Sequence, residues 1–195
     1  GESLSDPYLS RVRPKIGVLF QDPDDQLFGH TVLEDVAFGL RCQGVSQVDA
    51  MQAATDALAR VSLEDMAYKP PHHLSFGQKK RAALAGILVM DPEVLLLDEP
   101  TANLDPGQEQ VFLDLLKAFP GTLLTIGHDL ILLYELCDRA LVLDHGRIHR
   151  DCALSELVSQ RDHLRAHGIY FSFRLMVTSE GPESEADSPD ETPTL

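Results

Sequence analysis

Apolar and polar positions along the chain switch repeatedly between strand-like runs and helical periodicity. Residues 15–20, KIGVLF, form a short β-rich run that hands over at Gln21 to a polar turn, DPDDQ. From Thr31 the spacing turns helical: Val32, Val36 and Leu40 share a face, Glu34 and Asp35 occupy the first turn where the helix dipole favours acids, and Gly44 ends the run. Ser46 predicts an N-cap for a second amphipathic helix reaching about Val61, with Met51, Ala54, Leu58 and Val61 as its stripe. After a PPHH turn, Ser75 predicts the cap of a third helix that Pro92 closes.

VLLLD at 94–98 follows, and its unbroken apolar character predicts a strand covered on both faces. A helix over about 106–118 begins with Pro106 at its first position. TLLTIGHD predicts a strand ending at His128, ILLYELCD a short helix, RALVLDHGRIHRD a hairpin turning at His145-Gly146, and SELVSQRDHLRAH a last helix. Strands alternating with helices predict an α/β fold on a parallel sheet, with residues 31–91 as a mostly helical subdomain inside a domain spanning 1–175. The last twenty residues, 176–195, hold six acids, three prolines and no Lys or Arg, a composition that predicts a disordered tail.

One question stands out in this pattern: the strand at 94–98 runs straight into Asp98 and Glu99. Ionised carboxylates are costly next to a core, so such a pair belongs at a strand's carboxyl end, where a metal or charged ligand can meet it. Composition narrows the ligand. The 195 residues carry a formal charge of −15, which argues against nucleic acid or anionic lipid as partner. No run of roughly 18 apolar residues predicts a membrane span. Cys42, Cys137 and Cys152 make no close pair and suit reduced thiols better than a disulfide framework.

Five features in order, Gln21 after a strand, LSFGQ at 74–78, VLLLDE at 94–99, NLD at 103–105 and His128 after a strand, resemble the nucleotide-binding subunit of ATP-binding-cassette transporters over residues 15 to about 150. QDPDDQLFGHTVLEDVAFGL together with LSFGQKKR is similar to the energy-coupling-factor and cobalt-importer branch. The resemblance implies a P-loop-NTPase-like sheet, ATP and Mg²⁺ as cofactors, and ATP hydrolysis driving transport. It implies Asp98 and Gln21 at Mg²⁺, Glu99 as the base or water-orienting residue, and His128 on the γ-phosphate. Ser75, Gly77, Gln78 and Asp105 then belong to the interface with a second ATP-binding subunit, packed head to tail. A transmembrane transport protein would dock on the helices at 31–73, placing the chain on the inner face of the cell membrane. The family carries Gly where this chain has Phe76. Free N–H groups at the start of the LSFGQ helix can meet phosphate. Lys79, Lys80 and Arg81 crowd that same positive end, a crowding that a nearby anion would relieve.

The phosphate-cradling loop itself, G-x-x-x-x-G-K-[ST], has no match, since no Gly here is followed by Lys. In the family that loop precedes the glutamine segment, whereas only fourteen residues precede Lys15, and the chain begins with Gly1. The expectation is an amino-terminally truncated ATPase subunit, inactive in isolation. The alternative is a non-catalytic partner that lends its LSFGQ helix to another subunit's ATP. A DNA- or ribosome-acting cassette fits less well, because only 53 residues separate Gln21 from Ser75 and the chain is acidic. His163 with His167, and His145 with His149, read as surface histidines, since neither pair has an evident third metal ligand.

Overall fold

The computed structural model describes residues 6–159. The tail at 176–195, most of the last predicted helix, and His163 and His167 lie outside the described residues.

In chain order the elements are α1 (Asp6–Val12), β1 (Ile16–Leu19), α2 (Val32–Cys42), α3 (Gln47–Arg60), α4 (Phe76–Leu88), β2 (Val94–Asp98), α5 (Pro106–Lys117), β3 (Thr122–Ile126), α6 (Leu130–Leu136), β4 (Arg139–Asp144), β5 (Arg147–Ala153) and α7 (Leu154–Ser159). The first three strands form a wholly parallel sheet in the order β1-β2-β3, with Leu19 opposite Leu97 and Asp98 opposite Ile126. The expected hairpin is present as β4 and β5, a separate antiparallel pair. Its turn residues His145 and Gly146 both have positive φ, 45° and 74°, the geometry of a tight two-residue hairpin loop.

Local chemistry explains where the helices start. Thr31 Oγ1 accepts the Glu34 N–H, Ser46 Oγ accepts the Asp49 N–H, and Asp105 Oδ1 accepts those of Gly107 and Gln108. Each satisfies an orphan donor of the first turn and contributes about 1 kcal/mol.

Three apolar clusters lie beneath these elements. Val32, Leu33 and Val36 of α2 meet Ala50, Ala54 and Leu58 of α3, and Ala82 and Ala85 of α4 close that cluster. Leu84 and Ile87, on another side of α4, pack with Leu19, Leu95, Leu97 and Phe112 under the sheet. Leu130, Val142, Leu154 and Leu157 form the third, beneath the hairpin. Helix α4 therefore joins the helical cluster to the sheet.

The expectation that strand 94–98 is covered on both faces is not met. Leu95 and Leu97 are fully buried, while Val94, Leu96 and Asp98 are half-buried. The same alternation leaves Val18 of β1 and Leu124 and Ile126 of β3 exposed on the opposite face. An unbroken apolar run records that both faces avoid polar residues, but which face carries a layer is decided by the packing of α4 and α5. Strand β3 also ends at Ile126, two residues before His128.

At Gly17 of β1 the sheet and α4 approach closely. A Cβ there would lie 2.2 Å from Ile87 Cγ2 and 2.7 Å from Leu95 Cδ2. Gly17→Ala is expected to overpack the site and lower the unfolding free energy by about 1–3 kcal/mol. Equilibrium urea unfolding checks this, and an unchanged midpoint would show that α4 can slide away from the strand.

Candidate functional site

The carboxyl ends of the parallel strands gather four of the residues singled out from the sequence, Gln21, Asp98, Glu99 and His128. Asp98 is the last residue of β2. The Glu99 N–H still pairs with the Ile126 carbonyl of β3 at 2.9 Å, so strand pairing holds one step beyond the strand. There the backbone turns sharply. Glu99 has φ of +45° and Asn103 of +63°, a left-handed conformation that costs an L residue roughly 1–3 kcal/mol and is found where surrounding structure enforces it. The turn aims the Glu99 carboxylate at His128, whose Nδ1 lies 2.7 Å from Oε1.

This pair is polarised in a definite sense. The hydrogen bond to Glu99, with its negative charge, holds the His128 imidazole above the ordinary histidine range. His128 keeps 82% of its side chain exposed against 24% for Glu99, so the carboxylate is sheltered while the imidazole faces solvent.

Gln21 lies two residues past Leu19, whose partner on β2 is Leu97, and so at the same end of the sheet. Its segment is braced from both sides. Gln26 accepts the Phe20 N–H through Oε1 and donates to the Val18 carbonyl through Nε2. Asp35 does not stay in solvent as a first-turn acid of α2. It is buried, and its Oδ1 accepts the N–H groups of Phe28 and Gly29 at 3.0 and 2.7 Å. Burial raises its pKa against the opposing pull of these bonds.

Ser75, Gly77 and Gln78 sit together at the start of α4, away from the Glu99 and His128 pair in sequence but on the helix that packs beneath it. Ser75 and Gln78 form a reciprocal capping box: Ser75 Oγ accepts the Gln78 N–H, and Gln78 Oε1 accepts the Ser75 N–H. Gly77 is buried, and a Cβ there would lie 3.1 Å from Gln108 Oε1 on α5. Asp105 caps α5 and so stands three residues from that contact.

The basic run after LSFGQ finds its partners within the chain, one of them an anion, the Asp24 carboxylate. Lys79 pairs with Asp24 at 2.6 Å, Lys80 donates to the carbonyls of Glu99 and Pro100, and Arg81 donates to the Val61 carbonyl. Lys80 and Arg81 are buried, so neither belongs to a solvated patch. The sequence did hold a signal: Gly77, Lys80, Arg81, Leu84 and Ile87 share the face of α4 that turns inward. Asp35 carried no such signal, because its partners are backbone groups of a loop.

His145 and His149 lie on the hairpin, and among the described residues no group of three or more metal-ligating side chains occurs. Cys42, Cys137 and Cys152 are free, and no described helix is long and apolar enough to cross a membrane.

Comparison with known proteins converges on one family. The family profile described as ABC transporter matches residues 1–102. The energy-coupling factor transporter ATP-binding protein EcfA of Carboxydothermus hydrogenoformans is 40% identical over 172 residues, covering 87% of this chain and 63% of its own length. Among solved structures, cbiO1 of Clostridium perfringens, part of the transporter complex cbiONQ, superposes with a TM-score of 0.71 at 38% identity over 84% of this chain and 67% of that one. A second, titled as a dimeric, post-hydrolysis ATP-binding cassette bound to ADP and Pi, gives 0.68 at 28% identity over 78% of this chain and 68% of that one. The chain thus spans less than two thirds of the length of curated relatives such as EcfA. With over half of its residues inside the profile and the acidic strand end, helix cap and histidine arranged as described, the chain belongs to the ABC transporter family, in its ATP-binding domain.

Proposed function

We propose that the chain serves as the ATP-binding subunit of an energy-coupling-factor-type importer and couples ATP hydrolysis to transport across the cell membrane. The observation that carries this reading is the 2.7 Å contact between Glu99 and His128 beside Asp98, at the carboxyl end of a parallel sheet. Glu99 orients the attacking water and accepts its proton as the bond to the γ-phosphoryl group forms and ADP leaves. His128, bonded to Glu99 through Nδ1, turns its other ring nitrogen to a γ-phosphate oxygen. Its raised pKa favours the protonated, donating form.

Asp98 and Gln21 offer a carboxylate and an amide oxygen at one end of the sheet, donors of the kind Mg²⁺ takes in company with phosphate oxygens, so the residues fit that ion. Bound there, Mg²⁺ would neutralise charge on the β- and γ-phosphates. Ser75, Gly77 and Gln78 contribute to ATP held by a second ATP-binding subunit, with Asp105 at the shared boundary, and α2 and α3 face a transmembrane partner.

Mixing with a full-length EcfA-type relative whose own glycine at the position of Gly77 is changed to Asp tests the assembly. The chain is expected to restore ATPase activity above the relative alone. Gly77→Asp should abolish the rescue by placing a carboxylate near phosphate, whereas Gly77→Ala, which meets Gln108 with the same Cβ, should keep much of it. A folded mixed dimer, verified by sedimentation, with no added activity would overturn the proposal.

A further inference from the structure

We propose that Lys80 is a positioning residue for Glu99: its buried amine grips two successive backbone carbonyls and fixes the turn that aims the Glu99 carboxylate at His128. The inference rests on the reading of Glu99 and His128 as the working pair, and it assigns a role to a lysine that touches neither of their side chains.

Glu99 is held from both ends of its own backbone. Its N–H is fixed to β3 by the Ile126 carbonyl at 2.9 Å, and its C=O by Lys80 Nζ at 2.8 Å. The same Nζ donates to the Pro100 carbonyl at 2.9 Å. The N–H bond to β3 and the Lys80 bond to the C=O fix the two peptide planes that flank Glu99, and with them its φ and ψ, while the second Lys80 bond fixes the plane after Pro100. A residue with φ of +45° needs such a clamp, because the left-handed well is unfavourable for a glutamate left to itself. The Glu99 carbonyl also accepts the Ala102 N–H at 3.1 Å, but that bond closes the turn and does not reach the next peptide plane.

The chemistry of the site suits an amine in particular. Lys80 is fully buried, and burial lowers its pKa to about 8. A neutral amine has two N–H donors for the two carbonyls. The third proton of the ammonium finds the ring of Phe76, whose centroid is 5.6 Å from Nζ, at a distance where a cation is attracted to a π face. Phe76 occupies the position where the family resemblance led us to expect Gly, so the departure supplies the wall that an ammonium here requires. Because Lys80 and Phe76 belong to the first turns of α4, the LSFGQ segment and the Glu99 turn are tied together.

The test is the titration of the His128 imidazole by two-dimensional NMR in the full chain. In Glu99→Gln, His128 should fall toward the ordinary histidine value, since its charged partner is gone. Lys80→Met, of similar length and without donors, should reproduce most of that fall although it touches neither side chain of the pair. Leu58→Ala, in the separate helical cluster, should leave His128 where it is in the wild type, so destabilisation alone cannot account for a change. Should Lys80→Met not fold, Lys80→Gln, which keeps N–H donors on a stem one bond shorter, should place His128 between wild type and Glu99→Gln. A fall in Glu99→Gln with none in the Lys80 variants overturns the positioning role. No fall in Glu99→Gln overturns the pair itself, and this inference with it.

Discussion

Truncating Phe112 to alanine is expected to lower the unfolding free energy by about 3–5 kcal/mol. Phe112 is fully buried on α5 and packs with Leu19, Leu84, Leu95 and Leu97, the side chains that β1, β2 and α4 direct to the covered face of the sheet. Removing the ring takes away its transfer free energy and leaves a cavity bounded by strands that are hydrogen-bonded on both sides of β2 and cannot collapse inward. Among the described residues the opposite face of the sheet carries no second layer to share the load. Urea unfolding followed by circular dichroism measures the loss, with Val48→Ala, at a site 79% exposed, as a reference expected to change stability by less than about 0.5 kcal/mol. A Phe112→Ala loss below about 1 kcal/mol would mean that α5 is not seated on the sheet.

The second large effect is a dependence of stability on pH that originates in one side chain. Lys80 in the unfolded chain holds its proton up to about 10.5, whereas in the folded chain burial brings that value to about 8, against the opposing pull of Glu99, Asp22 and Asp98. Below about 8 both states carry the proton and this group gives no slope. Between about 8 and 10.5 the unfolded state binds more protons, so the free energy of unfolding rises with pH. At roughly 1.4 kcal/mol per pH unit the rise totals about 3 kcal/mol. Other lysines and tyrosines titrate in the same range, so the quantity to follow is the difference between wild type and Lys80→Met. That difference should shift in favour of the wild type across the window, and a constant difference would show that the amine keeps its ordinary affinity for protons.

These two residues mark the boundary of what was legible in the sequence. Ser46, Ser75 and Pro106 fixed helix starts because capping is a local transaction between a side chain and the next three N–H groups. The hairpin at His145-Gly146 and the strand leading into Asp98 and Glu99 were legible for the same reason. The 2.7 Å meeting of Glu99 with His128 was foreseeable only as two residues at ends of strands, since the spacing of 29 residues contains no distance. The crowding of Lys79, Lys80 and Arg81 at a helix start was legible, but what Lys80 binds was not. Its partners are peptide carbonyls 19 and 20 residues away, which have no letter in the sequence. Single-sided burial of the sheet was hidden likewise, because the residues that would reveal it, Leu124 and Ile126, are as apolar as those that are covered.

Among the described residues that sheet face is left open, and it bears on the colloidal behaviour of the chain. Val18, Leu96 and Leu124 lie in register across the three strands, and the outer two are 38% and 51% exposed, with Ile126 beyond them at 61%. A contiguous apolar strip of this kind attracts any similar surface, including a second molecule of the same chain. What keeps molecules apart is the formal charge of −15, whose repulsion reaches only about 10 Å at 0.1 M salt. Near the isoelectric point of about 4.7 that repulsion vanishes while the strip remains, so moderate ionic strength and a pH well above 4.7 are the conditions under which the folded chain stays dispersed.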